Sequence, residues 1–147
     1  MIRLENKTIH SGVNKNQEKW FLLDASQVNL GRLATISSLL LRDKLSAYYT
    51  PSVNRGNFVI IINAEQTQVS GNKNKQKIYW KHSGRPGGMK KQFFNEMLDK
   101  YPEKIVEKAI KGMLPKNSLG RSYFRRLKVF RGACHNFEGK DIEIINI

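Results

Sequence analysis

Apolar residues in the first half of the chain follow two different periods. A nearly continuous apolar run over residues 20–25 is too short for a helix and predicts a strand buried on both faces. Asn29 then favours a helix start near Leu30, and apolar residues continue at helical spacing to about Lys44. Residues 58–64 are the most β-prone stretch and predict a central strand. This order predicts a right-handed βαβ unit with a parallel sheet, so the predicted fold class is α/β.

The second half of the chain alternates between basic polar runs and short apolar segments. Residues 78–82 predict another strand, and residues 83–88 predict a loop because three glycines and a proline disfavour regular structure. Residues 89–112 have helical spacing, and Pro102 should begin the second of two helices there. A basic aromatic stretch follows, with a strand expected over residues 127–130.

Positive charge is concentrated after residue 72. The chain carries 26 Lys and Arg against 12 Asp and Glu, a formal net charge of +14. Residues 73–131 hold 17 of these cations and four of the acids, whereas residues 132–147 have a net charge of −2. An excess of this size opposes compaction through self-repulsion and is typical of proteins that bind a polyanion.

The charge fits a nucleic acid or an anionic membrane as partner, but the sequence predicts neither a membrane-spanning helix nor a secretory signal. The longest apolar runs fall far short of the roughly 20 residues that cross a bilayer. Residues 1–17 are polar and lack the apolar core of a secretory signal. Cys134 is the single cysteine of these 147 residues, so they contain no disulfide pair, which fits a reducing compartment. We therefore expect a nucleic-acid partner and no membrane partner.

Two segments combine glycine with cations, which lets a backbone approach phosphate closely while side chains neutralise it. They cover residues 81–91 and 111–121, and four more cations follow the second. Each segment alone has an alternative as a solvated basic loop or helix end, but two in one small chain favour RNA binding. The cations predicted to contact RNA in and after these segments are Arg85, Lys90, Lys91, Lys111, Lys116, Arg121, Arg125, Arg126, Lys128 and Arg131.

Four aromatic residues, Tyr79, Trp80, Tyr123 and Phe124, are interleaved with these cations. Such residues suit stacking on unpaired RNA bases. Aromatic residues at strand or helix spacing belong to a core more often than to a binding surface. They are therefore left out of the predicted site.

The sequence lacks the motifs of catalysis and of cofactor binding. Residues 84–88 do not end in the Gly-Lys-Ser/Thr of a P-loop and do not match a dinucleotide fingerprint. His10, His82 and His135 lack the paired spacing of a zinc site, and Asp24, although it ends a strand, has no basic or nucleophilic partner in sequence. We expect no enzyme activity, cofactor, metal or small-molecule substrate, and a nucleotide-dependent enzyme on the same scaffold is the competing class.

Four stretches of the sequence are distinctive enough to indicate a family. They are residues 30–34 (Leu-Gly-Arg-Leu-Ala), residues 59–64 (ending in Ile-Asn-Ala), residues 82–88 (His-Ser-Gly-Arg-Pro-Gly-Gly) and residues 109–121 (containing Lys-Gly-Met-Leu-Pro-Lys-Asn). Together they resemble the ribosomal protein L13 family of the large subunit, of bacterial and organellar type. The resemblance spans roughly residues 20–132.

The resemblance implies a single three-layer α/β/α domain around a small parallel sheet of about four strands. Residues 1–19 would be an N-terminal extension, residues 20–132 the core domain and residues 133–147 a divergent tail. The implied partners are large-subunit rRNA and neighbouring large-subunit proteins, with a role in early subunit assembly and no catalysis or cofactor. The RNA contacts that the resemblance implies are His82, Ser83, Gly84, Arg85, Gly87 and Gly88 in the first segment and Lys111, Gly112, Lys116, Asn117, Gly120 and Arg121 in the second. An extra-ribosomal regulatory RNA-binding protein is the alternative function.

The C-terminal residues depart from the family pattern. Members usually continue with His-Pro-His and Ala-Gln-x-Pro, whereas here His135 alone matches and the ending is acidic and rich in isoleucine, which suits a neighbouring protein. Seventeen Lys against nine Arg, with 13 Asn and 13 Ile, indicate an AT-rich coding sequence. We therefore expect a plastid (chloroplast) ribosome, with the bacterial cytoplasm and the mitochondrion as alternatives.

Overall fold

The computed structural model describes residues 18–47, 49–54 and 57–145, which contain two β-sheets and five α-helices. The strands are β1 (Trp20–Asp24), β2 (Phe58–Ile62), β3 (Ile78–His82), β4 (Met89–Phe93), β5 (Leu127–Val129) and β6 (Ile142–Ile144). The helices are α1 (Leu30–Leu41), α2 (Lys73–Gln76), α3 (Phe94–Lys100), α4 (Pro102–Met113) and α5 (Ser118–Arg125), and a 3₁₀ turn spans Ala64–Gln66. Within these ranges no helix is both long and apolar enough to span a membrane.

The central sheet has four parallel strands in the order β5-β2-β1-β6. β1 and β2 pair in register from Trp20 opposite Phe58 to Asp24 opposite Ile62. They occupy the middle of the sheet because their near-continuous apolar sequences can be buried on both faces, as inner parallel strands require. Helix α1 connects them, as the predicted βαβ unit requires. The expected α/β class and the four-stranded parallel sheet are confirmed.

One face of this sheet packs against the helices. Leu23 of β1 and Ile61 of β2 belong to a core cluster with Leu33 of α1 and with Ile105 and Ile110 of α4, and all five are fully buried. The apolar residues of both helices recur three to five positions apart, so each helix presents one apolar side. Burying one such side chain stabilises the fold by about 1.5–3 kcal/mol.

Aromatic side chains lie on the opposite face of the sheet. Alternate residues of a strand point to opposite faces, so Trp20 points away from the face that carries Phe21 and Leu23. Its ring stacks on Phe58 at a centroid distance of 4.2 Å and an interplanar angle of 4°. Phe137, from the segment after β5, lies 5.2 Å from the Trp20 ring. The C-terminal segment therefore folds back over the sheet.

The prediction that residues 89–112 are helical is wrong for its first five residues. Met89–Phe93 form a strand antiparallel to β3, with Met89 opposite His82. Lys and Gln in this segment are good helix formers, but pairing with β3 outweighs that local preference. The helical part begins at Phe94, whose side chain is fully buried, and Pro102 begins the second helix as predicted.

Two other elements end earlier than predicted because the backbone turns left-handed. α1 stops at Leu41, and Asp43 has a φ of 55°. β2 stops before Asn63, whose φ is 57° and whose side-chain amide donates to Asp24 Oδ1 at 3.1 Å. Asn29 precedes α1 as predicted but makes no side-chain capping hydrogen bond.

The ends of the predicted domain are described in part. Residues 1–17 of the predicted extension and residues 146–147 of the predicted tail lie outside the described residues. Within residues 133–147, β6 pairs with β1, with Ile142 opposite Trp20. This segment therefore adds an edge strand to the central sheet, and the domain boundary at residue 132 stays a prediction.

Candidate nucleic-acid interface

The first candidate segment forms a β-hairpin that is anchored at its base. β3 and β4 pair from Ile78 opposite Phe93 to His82 opposite Met89. At the base, the backbone N–H of Phe94 donates to the Lys77 carbonyl at 2.9 Å, and the Phe94 ring is in the core. Residues 80–87 are all exposed. The hairpin thus holds a strand pair and its loop in solvent on a fixed base.

The loop at the end of this hairpin has a defined backbone. The Ser83 N–H donates to the Gly88 carbonyl at 3.1 Å, and the Gly88 N–H donates to the Arg85 carbonyl at 3.0 Å. Gly84 and Gly87 have φ values of 87° and 71°, which glycine adopts without strain. A Cβ at Gly88 would meet Ser83 Oγ and lie 2.9 Å from the Arg85 carbonyl oxygen. Glycine therefore sets the shape of this loop.

The hairpin is rich in cations, and the sequence around it contains no acidic residue. Residues 66–95 contain seven Lys and Arg and no Asp or Glu. Lys81 and Lys90 are direct cross-strand partners, so two like charges share one face of the hairpin. Lys90, Lys91 and Arg85 are exposed. Such an arrangement is unfavourable in the isolated protein and favourable next to a polyanion.

The second candidate segment is the junction between α4 and α5. The Asn117 side chain accepts a hydrogen bond from the Gly120 N–H at 2.8 Å and caps α5. A Cβ at Gly120 would overlap the Pro115 carbonyl oxygen, so the junction packs closely on the helix. Around it, Lys111, Gly112, Lys116, Arg121 and Arg125 are exposed.

Helix α4 connects the two candidate segments. Lys108 Nζ lies 4.9 Å from the centre of the Tyr79 ring at the base of the hairpin. Lys111 Nζ, three residues later, lies 5.5 Å from the Phe124 ring of α5. Residues three apart share one side of a helix. Sequence reasoning missed Lys108, although its spacing from Lys111 on a predicted helix is the feature that would have identified it.

Near β5, two of the predicted cations are half-buried and a third pairs with an acidic residue. Arg126 lies over the Phe58 ring at 5.3 Å, and its buried Nη1 has no hydrogen-bond partner among the residues described. Lys128 is half-buried in β5, and Arg131 Nε donates to Glu65 Oε2 at 3.2 Å. Partial burial makes Arg126 and Lys128, and the Glu65 carboxylate makes Arg131, less available to a polyanion than the exposed cations of the hairpin.

Asp24 has a structural role at the end of β1. Its Oδ1 accepts hydrogen bonds from the Ser26 N–H at 2.9 Å and from the Ser26 hydroxyl at 2.8 Å, in addition to the Asn63 amide. Burial raises the pKa of this carboxyl, but the hydrogen bonds together outweigh burial and lower the pKa below 3.8. In the described ranges, no three His, Cys, Asp or Glu residues are grouped so that they could hold a metal ion.

The described residues form a small α/β domain with an exposed basic hairpin, a combination typical of proteins that bind nucleic acid. The sequence model of the family "Ribosomal protein L13" matches residues 18–136. The chain is 50% identical over 141 residues to large ribosomal subunit protein uL13 of Acaryochloris marina, and the aligned region covers 96% of this chain and 93% of that protein.

Other relatives give the same result. Large ribosomal subunit protein uL13 of Prochlorococcus marinus is 49% identical over 142 residues, covering 97% of this chain and 95% of that protein. That of a Synechococcus species is 52% identical over 130 residues, covering 88% and 87%. The chain therefore belongs to the ribosomal protein L13 family, which confirms the resemblance identified from its four distinctive stretches.

Proposed function

We propose that the chain is a structural constituent of the large ribosomal subunit, without a catalytic step. The observation that carries this proposal is the family match over residues 18–136. The relatives that support it are named as large-subunit proteins, and the similarity extends over nearly their full length. Its large-subunit rRNA would be bound through the hairpin and through the junction of α4 with α5. The protein would take part in early assembly of the subunit.

Phosphate groups are the chemical partner that these two segments suit best. The hairpin loop exposes Arg85 beside glycine backbone, and the junction exposes Lys116 and Arg121 beside Gly120 and Gly112. Arg can contact a phosphate with two parallel hydrogen bonds, whereas Lys acts as a point charge. Because Lys108 and Lys111 lie on α4 between the segments, one RNA region could contact both.

The experiment that tests the site removes single charges. Arg85→Ala and Arg121→Ala should each weaken binding to a large-subunit rRNA transcript, measured by filter binding, and should reduce the dependence of log K on log salt concentration by about one phosphate contact. Lys44→Ala is the matched control because Lys44 is also exposed and lies outside both segments. Equal losses in all three variants would disprove the two-segment site.

The whole-protein proposal predicts co-sedimentation with large subunits in a sucrose gradient at physiological salt, and release at high salt. Migration as a free monomer in the same gradient would contradict it. In reconstitution from purified components, omitting the protein should block formation of early intermediates. A block confined to late intermediates would contradict the assembly role.

The compartment that we propose is a plastid ribosome. The sequence relatives described above are cyanobacterial, which agrees with a bacterial or a plastid ribosome. The bias towards Lys, Asn and Ile supports the plastid. Location of the gene on a plastid genome, and recovery of the protein with plastid ribosomes, would be the expected result. A chromosomal gene in a bacterium would rule the plastid out.

A further inference from the structure

The four aromatic residues interleaved with cations occupy different environments. Tyr123 is in the core with 3% of its surface exposed. Tyr79 is half-buried, with Lys77 and Lys108 over its ring, and Phe124 is half-buried with Lys111 over its ring. Trp80 keeps 59% of its surface exposed. Among the four, Trp80 is therefore the one whose ring is available to a partner.

Trp80 lies on a face of the hairpin that combines apolar side chains with cations. Cross-strand partners share one face, so Trp80 and Lys91 are neighbours there. The next pairs on the same face are His82 with Met89 and Ile78 with Phe93. Met89 and Phe93 are 62% and 36% exposed. Lys91 Nζ lies 6.0 Å from the centre of the Phe93 ring, so an ammonium group and two exposed aromatic rings share this face.

The charge around this face indicates what covers it. The hairpin and its flanks are free of acidic residues from position 66 to position 95. An apolar protein segment placed here would desolvate several cations without pairing them, which is costly. A nucleotide supplies both complements, because its base can stack on an aromatic ring while its phosphate pairs with an adjacent cation.

We propose that Trp80 stacks on an unpaired base of large-subunit rRNA and that Lys91 contacts the phosphate of the same strand. This inference rests on the proposed function and extends it. The hairpin then reads an unpaired nucleotide as well as backbone charge. Bases inside an A-form duplex are already stacked on both sides, so the contact requires a loop, a bulge or a strand end.

Tryptophan fluorescence tests the contact directly. Trp20→Phe leaves Trp80 as the single tryptophan and keeps an aromatic ring against Phe58, on which Trp20 stacks. Adding a large-subunit rRNA transcript to this variant should quench Trp80 emission, whereas a fully paired RNA duplex at equal nucleotide concentration should leave it nearly unchanged. Absence of quenching at saturating transcript, or equal quenching by the duplex, would overturn the proposal.

Substitutions separate base stacking from apolar docking. Trp80→Leu removes the π face but keeps apolar bulk, and it should weaken binding to the transcript about 5- to 100-fold. Trp80→Phe should retain most of the affinity. Leu45→Ala, at another exposed apolar residue, is the control and should bind normally. Equal loss in both Trp80 variants, or no loss in Trp80→Leu, would contradict stacking, and thermal unfolding of each variant shows that the hairpin is intact.

The salt dependence of RNA binding tests whether Lys91 contacts a phosphate and distinguishes that contact from stacking by Trp80. Lys91→Gln should reduce the salt slope by about one, whereas Trp80→Leu should leave the slope unchanged because stacking releases no counterions. An unchanged slope in Lys91→Gln would disprove its phosphate contact. If Arg85→Ala and Arg121→Ala weaken binding and Trp80→Leu does not, the stacking inference fails alone. If none of the three variants weakens binding, the proposed function fails with it.

Discussion

Gly112 and Gly120 lie on either side of the α4–α5 junction and are constrained in different ways. A Cβ at Gly112, in the last turn of α4, would meet nothing within 4 Å. A Cβ at Gly120, in the first turn of α5, would overlap the Pro115 carbonyl oxygen, which is backbone and cannot rotate away. Glycine at position 120 is thus required by packing, whereas glycine at position 112 is not required by the fold.

Alanine at these two positions should therefore change stability in opposite directions. Gly112→Ala should raise the free energy of unfolding by about 0.5–1 kcal/mol, since alanine restricts the unfolded chain and favours the helix. Gly120→Ala should lower it by about 1–3 kcal/mol through overpacking. If RNA backbone approaches Gly112, the more stable Gly112→Ala variant should also bind rRNA less tightly. Urea unfolding measures the stability, and filter binding on the same samples measures the affinity. Unchanged affinity would remove Gly112 from the RNA site.

Tyr123 is a buried tyrosine that links α5 to the segment before β2. Its hydroxyl donates to the Val53 carbonyl oxygen at 3.3 Å. Burial raises its pKa above 10.0, and the neighbouring Tyr49 adds to this while Arg42 and Arg126 oppose it. A raised folded-state pKa means that the stabilising contribution is complete below about pH 10 and is lost as the pH rises through the folded-state value.

Tyr123→Phe should have two effects. The variant should lose about 1 kcal/mol of stability at neutral pH because the hydrogen bond to Val53 is gone. Above pH 10 its stability should fall less steeply than that of the natural protein, although burial also raises the pKa of Tyr79 and leaves part of the slope. Urea unfolding from pH 7 to pH 11 measures both. A slope identical to that of the natural protein would show that Tyr123 ionises freely in the folded state.

At the scale of elements, local pattern was sufficient for some segments and insufficient for others. β1, β3 and the helix start at Pro102 follow from residues that are close together in sequence, and they were predicted correctly. β4 was predicted as helix because Lys90, Lys91 and Gln92 favour that state locally, while the partner that makes them a strand is β3. The Ile-Glu-Ile alternation of β6 fits a strand but does not indicate that β1 is its partner.

The same distinction applies to the candidate site. Its two glycine–cation segments were identifiable because Gly, Pro and charge act over a few residues. The contact between Lys108 and Tyr79, which connects the two segments, depends on how α4 packs against the hairpin base. It could not be predicted from residues that are close together in sequence. That Trp80 is exposed whereas Tyr123 is buried is likewise a result of tertiary packing.

The two helix caps of asparagine offer a matched test at this scale. Asn117 accepts a hydrogen bond from Gly120 N–H, whereas Asn29 precedes α1 without a side-chain capping bond. Asn117→Ala should lower the free energy of unfolding by about 1 kcal/mol, and Asn29→Ala should lower it by less. Urea unfolding of both variants gives the comparison. A larger loss in Asn29→Ala would mean that the capping bond at Asn117 contributes little.

For the whole molecule, the net charge of +14 sets how the protein responds to salt. Raising NaCl from about 50 to 200 mM should raise the melting temperature of the free protein, because salt screens repulsion among its cations. The same change should weaken its binding to rRNA, because releasing condensed counterions into more concentrated salt gains less entropy. Thermal unfolding and filter binding across one salt series should therefore move in opposite directions. A melting temperature that falls with salt would show that charge repulsion is not a significant term.

The position of β6 beside β1 has a consequence for how the chain folds as it is made. β1 can pair along its β6 edge only after Ile142 has been synthesised, because Ile142 lies opposite Trp20. The two strands of the hairpin, by contrast, are joined by a loop of only six residues. Contacts between distant residues form late because closing a long loop costs entropy. During elongation the hairpin can form early, while β1 keeps an unpaired edge. The hairpin, which we propose binds RNA, can therefore form before the domain that carries it is complete.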